Sequence, residues 1–130
     1  KGQFIHSIRI PLPEKNIFKA YKISKRFDDD ISSVCAAFNL EINKNKIENV
    51  MIAYGGMAAI PKRAILCEKI LLKSLVDDET IHKAKEALEK DFKPISDMRA
   101  SGLYRIEVAK NLLEKCCIEI KKKKSVGLYA

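Results

Sequence analysis

The hydrophobic period of this sequence changes once, between Tyr54 and Pro61, from two residues to three and four. Alternation marks a half-buried strand, and spacing of three and four marks an amphipathic helix, so strands come first and helices second. That order, with hairpin-length connections, predicts an α+β fold: an antiparallel sheet of three to four strands followed by three helices packed on one face.

From Ile31 to Ile42 the alternation is regular. Val34, Ala36, Phe38, Leu40 and Ile42 share one face, and Cys35, Ala37, Asn39 and Glu41 the other. Asn43, Lys44, Asn45 and Lys46 read as a polar turn, because asparagine tolerates positive φ. Ile47 to Tyr54 completes an antiparallel hairpin with Val50, Ile52 and Tyr54 inward. Upstream, Ile17 to Ser24 predicts a further strand with Ile17, Tyr21 and Ile23 on one face and Phe18 and Ala20 on the other. Apolar residues on both faces imply that it is largely covered. Phe4 to Leu12 is rich in β-branched and aromatic residues and meets Pro11 and Pro13, which cannot donate to a ladder, so an edge strand is expected to end there.

Gly55 and Gly56 close the strand phase, and Pro61 is expected at or just before a helix start. Ala64, Cys67, Leu71 and Leu75 keep helical spacing in a first helix. Ile81, Ala84, Leu88 and Phe92 do so in a second, with Asp77 or Asp78 as N-cap. A third runs from about Ser101 to Ile120 with Leu103, Ile106, Ala109, Leu113, Cys116 and Ile120 along one stripe.

A chain of 130 residues, 47% apolar and 32% charged, is expected to form one domain over residues 1–130 with a core that needs no disulfide or metal. No apolar run approaches the roughly 20 residues that span a bilayer, and no short apolar leader opens the chain. A cytoplasmic location without a membrane partner is expected. Because Lys1 is not preceded by an initiator Met, the chain reads as a piece of a longer polypeptide. Cys35, Cys67, Cys116 and Cys117 offer no CxxC pair, and His6 and His82 lie far apart, so buried, reduced thiols are expected rather than a metal site. The net charge of +8 would suit nucleic acid, but Lys121 to Lys124 form one run that fits a solvated helix end. No nucleic-acid partner is expected.

Few residues are arranged for chemistry. Asp28, Asp29 and Asp30 lack the glycine and distal Glu of a calcium loop and are expected to pair with Lys25 or Arg26. Gly55-Gly56 matches neither GxGxxG nor the phosphate loop GxxxxGK(S/T), and reads as a tight turn followed by surface charges at Lys62 and Arg63. His6 and His82 have no nucleophile at catalytic spacing. Ser96, Asp97 and Ser101 are expected to cap the third helix, and Arg99 and Arg105 to pair with loop carboxylates or a neighbouring domain.

Three segments in order carry a resemblance. AYKISKRFDDDISSVCAAF (Ala20 to Phe38), AYGGMAAIPKRA (Ala53 to Ala64) and DFKPISDMRASGLYRIEVAKNLL (Asp91 to Leu113) resemble the C-terminal domain of the flavoprotein subunit of bacterial xanthine dehydrogenases. The wider group is the molybdenum hydroxylases, carbon monoxide dehydrogenase among them. The resemblance implies a lobe beside an upstream FAD-binding domain, in a subunit that also carries [2Fe-2S] clusters and partners a molybdopterin-binding large subunit. In such enzymes electrons from purine hydroxylation at molybdenum cross the clusters to FAD and reduce NAD. FAD would be shared with the upstream domain; the [2Fe-2S] clusters and molybdopterin would lie outside this chain. The resemblance places Lys22 against the FAD, and Ser24, Lys25, Arg26, Asp29 and Asp30 in the loop near the flavin. Phe27 departs from it, standing where many relatives carry a second basic residue. By itself such a domain is not expected to be catalytic. Two other readings stand beside this one: a freestanding basic adaptor binding protein or RNA, and the same domain from a molybdenum hydroxylase with another substrate.

Overall fold

The computed structural model describes residues 2–10, 15–26 and 31–122. Its elements are β1 (Ile17–Ile23), β2 (Val34–Asn43), β3 (Lys46–Gly55), β4 (Lys62–Arg63), α1 (Ile65–Leu71), α2 (Asp78–Asp91) and α3 (Gly102–Lys122). The strands form one antiparallel sheet in the order β1-β2-β3-β4, and the helices cover one of its faces.

The hairpin between β2 and β3 turns at Lys44 and Asn45, whose φ values are 47° and 64°. A two-residue turn with both centres positive matches the twist of the flanking strands. Leu40 pairs with Val50 and Glu41 with Asn49, but Ile42 pairs with Ile47, so β3 carries one extra residue at Glu48. That bulge lets Ile47 and Val50 both face the core despite their odd spacing. Tyr21, Phe38, Tyr54 and Phe92 then meet edge to face in a row, with ring centroids 5.8, 5.9 and 5.4 Å apart. The Tyr54 hydroxyl donates to the Ala109 carbonyl of α3 at 2.9 Å, so this fully buried aromatic also satisfies its polar end.

Several expectations are corrected. The described part of the Phe4 to Leu12 stretch forms no strand, and Phe4, Ile5, Ile8 and Ile10 stand exposed with no sheet edge beside them. Pro11, Leu12 and Pro13 lie outside the described residues, as do Phe27 to Asp30, Lys123 and Lys124. The fourth strand comes instead from Lys62 and Arg63, which pair with Tyr54 and Ala53. Pro61 therefore precedes a strand rather than a helix. Lys62 and Arg63 are exposed, as expected, yet engaged: Lys62 Nζ donates to the Asp91 carbonyl, and Arg63 pairs with Glu68. Beyond this short strand Glu68 accepts the edge N–H of Ile52 at 2.8 Å, which blunts what would be an open ladder.

β1 is covered on one side only. Ile17, Tyr21 and Ile23 face the helices, while Phe18 is 59% exposed on the outer face with Ala20. β2 starts at Val34, and Ile31 is exposed. Helix α1 ends at Leu71 because Lys73 adopts a left-handed φ of 65°, so Leu75 leaves the predicted stripe and forms an isolated bridge with Lys46. Phe92 is buried, but as the residue that ends α2. In α3 Leu103 is exposed, and the inward place belongs to Arg105, two residues on.

Candidate functional site

Beyond the last pair of β1 and β2, the Ser33 N–H donates to the Ile23 carbonyl at 2.7 Å. The two strands then part. Their diverging ends face the segment that leads into α3, and together these enclose a cleft of about 440 Å³ lined by Ser24, Lys25, Ser33, Asp97, Met98, Arg99, Ala100, Ser101 and Tyr104.

The lead-in is shaped by its own side chains. Asp97 Oδ1 accepts the N–H groups of Arg99 at 2.8 Å and Ala100 at 3.1 Å, closing a tight turn. Those backbone donors, joined by the Arg105 guanidinium, hold the Asp97 carboxyl below the usual carboxylate range. Ser101 Oγ accepts the Tyr104 N–H at 3.1 Å and so caps α3, whereas Asp97 shapes the turn before it and Ser96 Oγ accepts from the Gly102 N–H. No acidic residue stands in the first turn of α3. With Lys25 and Arg99 on its walls, the cleft presents cations and a helix N-terminus.

Below this turn lies Arg105, 3% exposed. Its Nη2 donates to Asp97 Oδ1 at 2.7 Å, and its Nη1 donates to the carbonyls of Gly56, at 2.9 Å, and Ser33. The expectation that Arg105 pairs with a loop carboxylate therefore holds. Its burial, and the part Met98 and Tyr104 play in the cleft, were not anticipated. One signal was available, because Arg105 occupies the same helical stripe as Ala109, Leu112 and Cys116.

The residues singled out from the sequence are only partly brought together. Ser24 and Lys25 line the cleft, and Lys25 Nζ donates to the Met98 carbonyl at 2.6 Å. Arg26 follows on the exposed outgoing arm, its carbonyl accepting from Ser24 Oγ at 2.7 Å. Lys22 stands apart, exposed on the outer face of β1 opposite Cys35. Asp29 and Asp30 lie outside the described residues. His6 is exposed and in no strand, and His82 pairs with Glu86 on α2 at 3.3 Å. Cys67, Cys116 and Cys117 are buried, but Cys35 is exposed on the outer sheet face, where its alternation places it. Burial pushes the Cys116 thiol up to about 12 and that of Cys117 to about 11.

The fold around this cleft is a four-stranded antiparallel sheet backed by three helices. The family model for the CO dehydrogenase flavoprotein C-terminal domain matches residues 19–120. The glyceraldehyde dehydrogenase medium chain of Sulfolobus acidocaldarius is 32% identical over 123 residues, 92% of this chain and 42% of that protein. A xanthine dehydrogenase of Emericella nidulans is 38% identical over 92 residues, 68% of this chain and 7% of that protein. The structure of reconstituted CO dehydrogenase from Oligotropha carboxidovorans superposes with a TM-score of 0.72 at 25% identity, covering 82% of this chain and 36% of that one. The chain thus spans less than half the length of these relatives. It belongs to the CO dehydrogenase flavoprotein C-terminal domain family of the molybdenum hydroxylases, which are oxidoreductases.

Proposed function

We propose that this chain is the C-terminal lobe of the FAD-carrying subunit of a cytoplasmic molybdenum hydroxylase of the xanthine dehydrogenase kind, and that it closes one side of the flavin site. The match of the flavoprotein family over residues 19–120 carries this reading. FAD, when bound, would take up electrons released by purine hydroxylation at molybdenum and pass them to NAD. The upstream FAD-binding and [2Fe-2S] domains and the molybdopterin subunit are the partners this implies.

The residues present fit a flavin held mainly by a neighbour. Lys22 is exposed on an edge strand, and Lys25 and Arg26 follow it on the arm that rims the cleft. In this reading Lys22 lies against the FAD, and Ser24, Lys25, Arg26, Asp29 and Asp30 set the charge around its ring. Fixed cations close to a flavin favour negative charge on its ring, and Met98 and Tyr104 give the cleft its large apolar groups. The basic adaptor reading loses its support, since family membership gives the domain a setting inside a larger enzyme.

Relatives named for glyceraldehyde, xanthine and carbon monoxide share this domain, so substrate choice belongs to another part of the parent. The purine assignment rests on the likeness of the three segments to bacterial xanthine dehydrogenases. The 32% identity with a glyceraldehyde dehydrogenase medium chain favours an aldehyde as the second reading. Anaerobic bleaching of the parent's flavin by xanthine or by glyceraldehyde separates the two.

The site is tested by Lys22→Ala in the assembled parent enzyme. Loss of one cation near the ring corresponds to about 1 kcal/mol, so NAD reduction should slow about five- to tenfold, or FAD content fall, with the molybdenum half-reaction unchanged. Full flavin content at an unaltered rate would remove Lys22 from the site.

A further inference from the structure

We infer that Arg105 is a positioning residue for the flavin-facing cleft, acting through Asp97 on the turn to which both arms of the preceding loop are fastened; this rests on the flavin reading above. The outgoing arm, residues 24–26, is held where Lys25 Nζ donates to the Met98 carbonyl at 2.6 Å. The returning arm, residues 31–33, is held where Ser33 Oγ donates to the adjacent Arg99 carbonyl at 3.4 Å. Both anchors therefore sit on one turn. That turn is closed by Asp97, which accepts from the Arg99 and Ala100 N–H groups and from Arg105 Nη2 at 2.7 Å. Arg105 also holds the Ser33 and Gly56 carbonyls directly, so one guanidinium ties the returning arm, the end of β3 and the lead-in to α3.

Stability alone gives little reason for this residue. Its position lies in line with Ala109, Leu112 and Cys116, where an apolar side chain would pack without desolvating a charge. Its Nε finds no acceptor among the described residues, a further cost of the burial. A planar fork that reaches three acceptors at set angles supplies geometry rather than net attraction. Lysine keeps the charge and lacks the fork, so it cannot hold the three groups at once.

The test uses the assembled parent enzyme carrying Arg105→Lys or Asp97→Asn, read by amide hydrogen exchange, the visible circular dichroism of bound FAD and the steady state with NAD. Both variants should speed exchange in the two arms by about tenfold or more while β2 and β3 keep their protection. The dichroism of the flavin should change, and kcat for NAD reduction should fall about ten- to a hundredfold with the molybdenum half-reaction unaltered, as a displaced wall beside the ring requires. Unchanged exchange in the arms overturns the inference. So does faster exchange with an intact flavin spectrum and rate. If Arg105→Lys does not fold, Asp97→Asn decides alone, because that carboxylate is about a third exposed and its amide still accepts the turn's N–H groups. Failure of the flavin reading shows separately, as a parent enzyme that purifies without FAD.

Discussion

Gly56 and Gly55 are neighbours with different duties. Gly56 has a φ of +80°, and a Cβ there would stand 2.4 Å from the Ser33 carbonyl oxygen and 3.0 Å from Arg105 Nη1. At Gly55 a Cβ would meet only Cys35, at an ordinary 3.6 Å. Gly56→Ala should therefore cost about 2–3 kcal/mol, from a left-handed backbone plus displacement of Ser33, while Gly55→Ala should cost less than about 1 kcal/mol. Urea unfolding of the two variants measures the difference, and equal costs would contradict the close approach. The pair was legible in the sequence as a turn. Which glycine is indispensable was not, because the reason is a carbonyl and a guanidinium brought in from elsewhere. Arg105 repeats the pattern: its pairing with a loop carboxylate could be anticipated, but its hold on Ser33, 72 residues away, could not.

At the scale of elements, α1 is the instructive case. Seven residues make a helix too short to persist alone, and its N-cap position, Ala64, has no polar side chain to accept a capping hydrogen bond. The missing cap comes from the end of α2, where the Asp91 carboxylate accepts the N–H groups of Leu66 at 3.0 Å and Cys67 at 2.9 Å. Asp91→Ala should cost about 2 kcal/mol and Asp91→Asn less, since the amide oxygen can still accept one of the two. Thermal melts of both variants test this, and a cost in Asn equal to that in Ala would show that charge rather than capping matters. Sequence periodicity carried α1 on to Leu75, because the stripe continues after the backbone has turned at Lys73. Similarly, the β-rich composition of residues 4–10 promised a strand, but a strand needs a partner edge as well as propensity.

For the whole molecule, three buried thiols make stability sensitive to alkali. Their ordinary value is 9.0, and burial raises Cys117 to about 11, Cys116 to about 12 and Cys67 further still. A group whose folded value is raised stabilises the fold below its unfolded value and loses that contribution as pH rises through the folded one. The urea midpoint should thus fall steadily between about pH 9 and 12, and replacing Cys116 and Cys117 by Ala should flatten that slope. An identical slope in the double variant would show that Cys116 and Cys117 do not drive it. Asp77 and Asp97 work in the opposite sense: both are held below the ordinary 3.8 by backbone donors, so their contribution is present above that value and lost as pH falls through the lowered ones. What the sequence alone determined is the order of strands before helices, a hairpin turn within Asn43, Lys44, Asn45 and Lys46, the inward faces of β2 and β3 and the family, each carried by patterns local to a segment. What only the tertiary structure decided is the fourth strand, the early end of α1, the uncovered outer face at Phe18 and the cleft braced by Arg105. Each of these depends on groups far apart along the chain meeting within a few ångströms, and local periodicity does not record which distant groups will meet.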